Sequence, residues 1–211
     1  IIKYMKERNL ILVRHGQSEW NAKNLFTGWE NPGLTDKGLD EAKNAGILIS
    51  NLNIKFDLLF TSALIRAQLT GSKILEKIGQ ENINTIKNKS LNERFYGDLQ
   101  GLNKDECRKK WGLDQVQIWR RSYDVGPPGG ESLKECGERV LPYFLDKIYP
   151  LVLEGKNIIV SAHGNSLRSL IKHLDKLSAD EIVKLEIPTG APIHYLFSDD
   201  GLILTKKNLI E

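Results

Sequence analysis

The sequence predicts an α/β fold, a three-layer sandwich with a mostly parallel central sheet flanked by helices. Two observations carry this expectation. Three short apolar runs, at 10–13, 56–60 and 157–162, read as buried strands, the first with β-branched members. Stretches of helical periodicity separate them, and that alternation builds parallel sheets. Ligands in such sheets bind beyond the carboxyl ends of the strands, so the residues that follow each run are where chemistry is expected.

The first run, Leu10-Ile-Leu-Val13, passes directly into Arg14, His15 and Gly16. Gly16 removes a side chain that would keep a ligand off the backbone. Residues 19–32, rich in Asn, Gly, Trp and Thr, suit a loop folded over the strand end, with Trp20 and Trp29 packing it over the cleft. Thr35 is placed as the N-cap of a helix over about 36–50, with Leu39, Ala42 and Ile49 on one face. The second strand ends in Thr61-Ser62, and a helix follows over about 63–78, closed by Gly79. Arg66 falls in its first turn, at the edge where helix N-termini favour anions.

Residues 82–86 read as a short strand, and 91–104 as a long polar segment with interleaved glycines, a kind more often functional than idle. One helix is expected over 105–125, carrying Trp111 toward the core and the pair Arg120-Arg121. Pro127-Pro-Gly-Gly130 breaks the chain, and Ser132 with Glu135 forms a capping box opening a helix to about Leu153, bent at Pro142. The third run ends in His163-Gly164-Asn165 before a helix over 166–174, so two strand ends carrying His-Gly can face each other across a cleft. Ser178 and Glu181 make a second capping box, and 193–197 with 202–206 read as a closing strand pair. His173 and His194 read as structural. The expectation is one domain over 1–211, with residues 1–8 a flexible N-terminal extension. Met5 is expected to be the natural start, Ile1 to Tyr4 lying upstream of it.

The net charge of +3 is spread without blocks of like sign, which argues against nucleic acid or a membrane surface as partner. No run reaches the ~18 apolar residues that span a bilayer. Cys107 and Cys136 form no disulfide framework and fit a reducing, cytoplasmic setting. Most of the nine arginines lie in the segments already named, and arginine grips phosphate and carboxylate bidentately, so a small anionic ligand is expected.

A neutral histidine flanked by arginines can attack phosphorus, hold the phosphoryl group and pass it on. The missing part is an acid–base group, for which Glu93 is the candidate. A metal site has no His-Glu-x-x-His or paired-Cys spacing behind it, and Arg14 and Arg66 would repel the cation. A serine hydrolase lacks the Gly-x-Ser-x-Gly elbow, so Ser18 reads as a phosphate hydrogen-bond donor.

The segment Leu12-Val-Arg-His-Gly-Gln-Ser-Glu-Trp-Asn21 resembles the signature of the histidine phosphatase superfamily. With Phe26-Thr-Gly-Trp29, Leu34-Thr35, Glu93-Arg-Phe-Tyr-Gly-Asp-Leu-Gln-Gly101, Trp119-Arg-Arg121, Pro127-Pro-Gly-Gly-Glu-Ser132 and Ala162-His-Gly-Asn165, the longer pattern resembles the cofactor-dependent phosphoglycerate mutase family. The resemblance implies that His15 carries phosphate, that Glu93 gives and takes the proton, and that His163 donates a hydrogen bond to the phosphoryl group. Arg14, Ser18, Asn21, Arg66 and the Gly164–Asn165 backbone would hold that group. Thr27, Gly28, Arg94, Tyr96, Lys104, Arg120 and Arg121 would hold the rest of the substrate. Gly16, Gln17, Glu19, Trp20 and Phe95 are grouped with the substrate-binding residues by their place in the motifs, Phe95 without a role of its own. Implied too are interconversion of 3-phosphoglycerate and 2-phosphoglycerate in glycolysis and gluconeogenesis, priming by 2,3-bisphosphoglycerate, no metal, and a homo-oligomer, dimer or tetramer. Longer family members carry an insertion after Pro127-Pro128 and a longer C-terminal tail, which can fold over the site.

The competing reading is a histidine-type phosphatase acting on small phosphorylated metabolites, with water as acceptor. A third is a phospho-ligand binder without catalysis, which has no need of His15, Glu93 and His163 together.

Overall fold

The computed structural model describes residues 7–210. The expectations for Met5 and for Ile1 to Tyr4 lie outside them. In chain order the elements are β1 (Arg8–Arg14), α1 (Glu19–Ala22), α2 (Asp36–Ser50), β2 (Leu58–Thr61), α3 (Ile65–Ile78), β3 (Asn84–Lys87), α4 (Lys104–Trp111), α5 (Leu113–Arg121), α6 (Leu133–Tyr143), α7 (Tyr149–Leu153), β4 (Ile158–Ala162), α8 (Gly164–Leu174), α9 (Ala179–Lys184), β5 (Pro192–Phe197) and β6 (Ile203–Asn208). The strands form one sheet in the order β3-β2-β4-β1-β5-β6. β3, β2, β4 and β1 run parallel, β5 is antiparallel to β1, and β6 returns antiparallel to β5.

The apolar runs are continuous because both faces of the sheet are covered. Leu10, Leu12, Ile158 and Val160 pack on one face with Val140 and Phe144 from the α6 region and Leu167 and Leu170 from α8. Ile11, Val13 and Ile159 turn to the other face and meet Ala45 and Ile49 of α2 and Ile74 and Leu75 of α3. This is the expected three-layer sandwich, in which each fully buried aliphatic side chain contributes about 1.5–3 kcal/mol. A smaller cluster of Phe26, Leu99, Cys107 and Val116 seats α4 and α5 beside the sheet. Among the described residues no helix is long and apolar enough to cross a membrane.

Several elements depart from the sequence expectation. Arg8, placed in a flexible extension, instead opens β1, where it faces Phe197 and donates from Nε to the Leu153 carbonyl at 2.8 Å. The loop over 19–32 begins with a turn of helix, α1, capped by Ser18. The helix expected over 105–125 is two, α4 and α5, because Gly112 adopts φ +88° and ends the first. The long helix after Ser132 carries Pro142 within α6 and then widens to a π turn over Phe144–Ile148, closed by the Tyr149 N–H on the Phe144 carbonyl. Pro150 follows at once in α7, and a proline cannot donate back to an α-helical partner. α8 starts two residues earlier than expected, at Gly164, which makes His163 its N-cap.

Candidate active site

Because β2, β4 and β1 are parallel, their carboxyl ends share one edge of the sheet. The His15 N–H donates to the Ala162 carbonyl at 3.0 Å, so the residues following β1 and β4 are neighbours. The rings of His15 and His163 therefore stand side by side, centroids 5.0 Å apart and inclined 60°, rather than across a cleft.

His15 is buried, and its Nδ1 donates to the Gly16 carbonyl at 2.6 Å. That bond places the ring proton on Nδ1 and leaves Nε2 unprotonated, its lone pair accepting from Arg66 Nε at 3.3 Å. Burial, reinforced by the charges of Arg66 and Arg14, holds His15 well below the ordinary imidazole value, so the ring is neutral. Arg66 also donates to the carbonyls of Glu30 at 2.9 Å and Gly28 at 2.8 Å, tying the loop after α1 to the reactive nitrogen. Gly28 has φ +56°, and a Cβ there would lie 2.1 Å from Gln100 Oε1, so a larger residue would strain the turn and push the Gln100 side chain away. Burial lowers the Arg66 pKa to about 10, which leaves it charged at neutral pH.

Glu93 lies in the polar segment as expected. Its Oε1 accepts the N–H groups of Arg94 at 2.7 Å and Asn165 at 3.2 Å, the latter from the first turn of α8. Its carbonyl is held by Trp29 Nε1 at 2.7 Å and Arg139 Nη2 at 3.3 Å. Arg139 in turn forms a two-pronged pair with Glu131, 2.9 Å and 2.8 Å.

The cleft beside His15 is lined by Arg14, His15, Asn21, Thr27, Gly28 and Arg66. Glu93, Tyr96, Lys104, Arg120 and Arg121, with Gly164 and Asn165, complete the expected residues around it. Burial, and after it neighbouring arginines, lowers Lys104 and Arg120 below their ordinary values. Arg14 is anchored by donating to the Ile187 carbonyl at 2.7 Å.

The remaining expected residues lie next to the cleft-lining ones. Ser18 caps α1, its Oγ accepting the Asn21 N–H at 3.1 Å. Arg94 is fully buried, stacked over the Tyr96 ring at 4.6 Å and donating to the Trp119 carbonyl at 2.9 Å. His163 is buried against Ser62. Five others spend their contacts on protein. Gly16 turns its bare face to Gly38, whose carbonyl oxygen would lie 2.1 Å from a Cβ, so the close approach it permits is to α2 and not to a ligand. Gln17 bonds Thr35 and Glu41, Glu19 is exposed, Trp20 lies against Gly101, and Phe95 packs edge-on to Trp29.

Sequence reasoning missed four side chains. Ser62 immediately follows β2 at the same sheet edge as His15, a position that could have flagged it. Arg139, Arg168 and Glu186 had no local signal. Arg168 and Glu186 line the cleft, and Glu186 pairs with Arg121 at 2.6 Å and Arg168 at 3.7 Å. Among the described residues no group of three or more His, Cys, Asp or Glu side chains could hold a metal ion. His194 is buried with Nε2 2.7 Å from Asn9 Oδ1, whereas His173 is exposed.

Residues 10–210 match the model of the histidine phosphatase superfamily, branch 1. The chain is 59% identical over 202 residues to a 2,3-bisphosphoglycerate-dependent phosphoglycerate mutase of Parvibaculum lavamentivorans, covering 96% of each. It is 57% identical over 198 residues to a phosphoglycerate mutase of Schizosaccharomyces pombe, covering 94% of each. Among solved structures, Bacillus stearothermophilus YhfR superposes with TM-score 0.80 at 23% identity, over 92% of this chain and 93% of that one. A mycobacterial glucosyl-3-phosphoglycerate phosphatase superposes with TM-score 0.78 at 23% identity, over 95% and 97%. These two likenesses speak to the fold alone. On its matched length and its full-length identities, the chain belongs to the histidine phosphatase superfamily, branch 1, within the 2,3-bisphosphoglycerate-dependent phosphoglycerate mutases.

Proposed function

We propose that this protein interconverts 3-phosphoglycerate and 2-phosphoglycerate through a phosphohistidine at His15. The observation that carries the reading is the neutral, buried His15 whose unprotonated Nε2 is met by Arg66 Nε at 3.3 Å. A lone pair so placed is a nucleophile, and the guanidinium beside it stabilises charge on a transferring phosphoryl group.

The roles follow from position. Nε2 of His15 takes the phosphoryl group as the phosphorus–oxygen bond of the donor breaks, and gives it back to a substrate hydroxyl oxygen. Glu93 supplies the proton to the departing oxygen and removes it from the attacking one; its Oε1 is engaged by two N–H groups, which leaves Oε2 for the proton. Arg14 and Arg66 hold the phosphoryl oxygens, with Asn21 and the first N–H groups of α8. His163 donates to the same group. Lys104, Arg120 and Arg121, with Tyr96, Thr27 and Gly28, hold the carboxylate and the remaining oxygens.

2,3-bisphosphoglycerate supplies the priming phosphoryl group. The cleft fits a ligand with more than one anionic group, because cations stand around His15 and again on α4, α5 and α8. The reading carries with it a single domain, no metal requirement, a cytoplasmic setting and a homo-oligomer, dimer or tetramer.

The test is an incubation with 3-phosphoglycerate, a trace of 2,3-bisphosphoglycerate and a chelator, following 2-phosphoglycerate and free phosphate together. Formation of 2-phosphoglycerate with little free phosphate is expected. Phosphate release without isomerisation would move the assignment to a phosphatase.

A further inference from the structure

Ser62 is fully buried where the chain leaves β2. Its Oγ accepts the Leu64 N–H at 3.1 Å and lies 2.7 Å from Nε2 of His163. A hydroxyl has one hydrogen to donate, and a buried one must place it. Among the described residues the acceptor within reach is His163 Nε2. Were Nε2–H the donor instead, Oγ would receive two N–H groups while its own hydrogen stayed buried and unmatched. With Ser62 donating to Nε2 only one buried group, Nδ1 of His163, is left without a partner, whereas donation from Nε2–H would leave two, Nδ1 and the Ser62 hydrogen.

A neutral imidazole with Nε2 accepting carries its proton on Nδ1. Nδ1 of His163 is buried and has no hydrogen-bond partner among the described residues. The ring stands 5.0 Å from that of His15. A buried N–H without an acceptor costs free energy that a bound oxygen would recover.

We propose that Ser62 is a positioning residue that fixes His163 in its Nδ1–H tautomer, so that His163 offers an uncharged, pre-aligned N–H donor to the phosphoryl group on His15. The proposal rests on the reading that His15 carries that group. Its consequence is that the donor exists without an imidazolium, whose charge Arg14 and Arg66 would oppose. The Ser62 backbone is pinned as well, its carbonyl accepting from Thr61 Oγ1 at 3.0 Å and Gln68 Nε2 at 3.3 Å, which fixes the position from which the hydroxyl projects. Without the hydroxyl, the Nε2–H tautomer becomes accessible and turns a lone pair toward the phosphoryl oxygens.

The experiment is long-range proton–nitrogen NMR of the ligand-free, histidine-labelled protein, which reads the tautomer of His163 directly, alongside kinetics of Ser62→Ala and Ser62→Thr. Wild type and Ser62→Thr are expected to show Nδ1–H, and Ser62→Ala a mixture or Nε2–H. The kcat of Ser62→Ala is expected to fall by about 10- to 100-fold, part of the ~100- to 1,000-fold that losing a whole donor costs. KM should change far less, and Ser62→Thr should restore most of the rate. Nε2–H in the wild type, or unchanged Nδ1–H in Ser62→Ala, would overturn the proposal. If Ser62→Ala fails to fold, the wild-type spectrum still decides. A wild type that never phosphorylates His15 would sink the functional reading, while the tautomer would stand or fall on its own spectrum.

Discussion

Arg66 points its Nε at the Nε2 of His15 across 3.3 Å while its two terminal nitrogens hold the carbonyls of Gly28 and Glu30. One guanidinium thus aims the nucleophile, lowers its basicity and fastens the loop that walls the cleft. Arg66→Met should cut kcat by about 100- to 1,000-fold, the range for removing one preorganised donor from a charge-developing centre. It should also raise the His15 pKa toward its ordinary value, because one of the two opposing charges is gone while burial remains. Single-turnover phosphorylation of His15 measured against pH reads both effects. A normal rate with an unmoved acid limb would show that Arg66 only shapes the loop.

His15 and His163 are both held well below 6.5 in the folded protein, chiefly by burial and then by Arg66. Catalysis needs His15 neutral, so the acid limb of kcat/KM should lie well below pH 6.5. Stability follows the same groups: the unfolded chain takes up protons from pH 6.5 downward that the folded chain refuses, so folding free energy is full above that pH and declines below it until the folded-state values are reached. Denaturant midpoints measured from pH 8 to pH 5 check this, and a flat profile would mean that neither imidazole is neutral through burial.

Arg139 joins Glu131 to the backbone that presents Glu93, also donating to the Ser90 carbonyl at 2.9 Å. The pair is about four-fifths buried, side chains 19% and 21% exposed. Arg139→Met should therefore cost about 2–4 kcal/mol of stability, because it strands a carboxylate and several carbonyls. It should also lower kcat with little change in KM, since Glu93 is displaced rather than removed. Arg139→Lys should recover only part of this, as an ammonium cannot reproduce the two-pronged contact. Unfolding curves and steady-state kinetics of both variants test the claim.

What was legible in the sequence had local causes. Leu10–Val13 and Ile158–Val160 announce buried strands because nothing polar interrupts them, and the His-Gly pairs beyond their ends mark a sheet edge. Arg66 was placed correctly because a helix start follows β2 directly. A lone glycine does not by itself stop a helix, and at Gly112 it is the φ of +88° that separates α4 from α5. Arg139 sits 46 residues from Glu93 and Ser62 101 residues from His163, so their roles come from packing and have no trace in spacing. At Gly16 the backbone that comes close is that of Gly38, which meets it only once α2 folds back, so spacing in the sequence carries no sign of it.

That contact sets up a clean steric test. A Cβ on Gly16 would stand 2.1 Å from the Gly38 carbonyl oxygen, and one on Gly38 would stand 2.1 Å from the Gln17 carbonyl oxygen. Both obstacles are backbone and neither can rotate aside. Gly16→Ala and Gly38→Ala should each destabilise by about 2–4 kcal/mol, and the double variant by less than the sum, since a single displacement of α2 relieves both. Additive losses in urea unfolding would show that the two clashes are independent.

Glu186 is the acidic residue among the cations on the outer side of the cleft, paired with Arg121 and Arg168 while its own side chain is 67% exposed. An anionic ligand reaching those arginines must compete with this carboxylate. Arg168 also fastens the segment before it, donating to the Leu185 carbonyl at 2.9 Å and 2.8 Å, so the backbone should hold when the charge is removed. Glu186→Gln should therefore tighten binding of 3-phosphoglycerate, with a gain of at most about 5-fold, because an exposed ion pair is worth only ~0–1 kcal/mol. Titration calorimetry at two salt concentrations measures it, and the gain should shrink at the higher salt as the freed charges are screened. Weaker binding would reverse the interpretation: Glu186 would then be holding Arg121 in the posture that grips the substrate, and its charge would be part of the site instead of its rival.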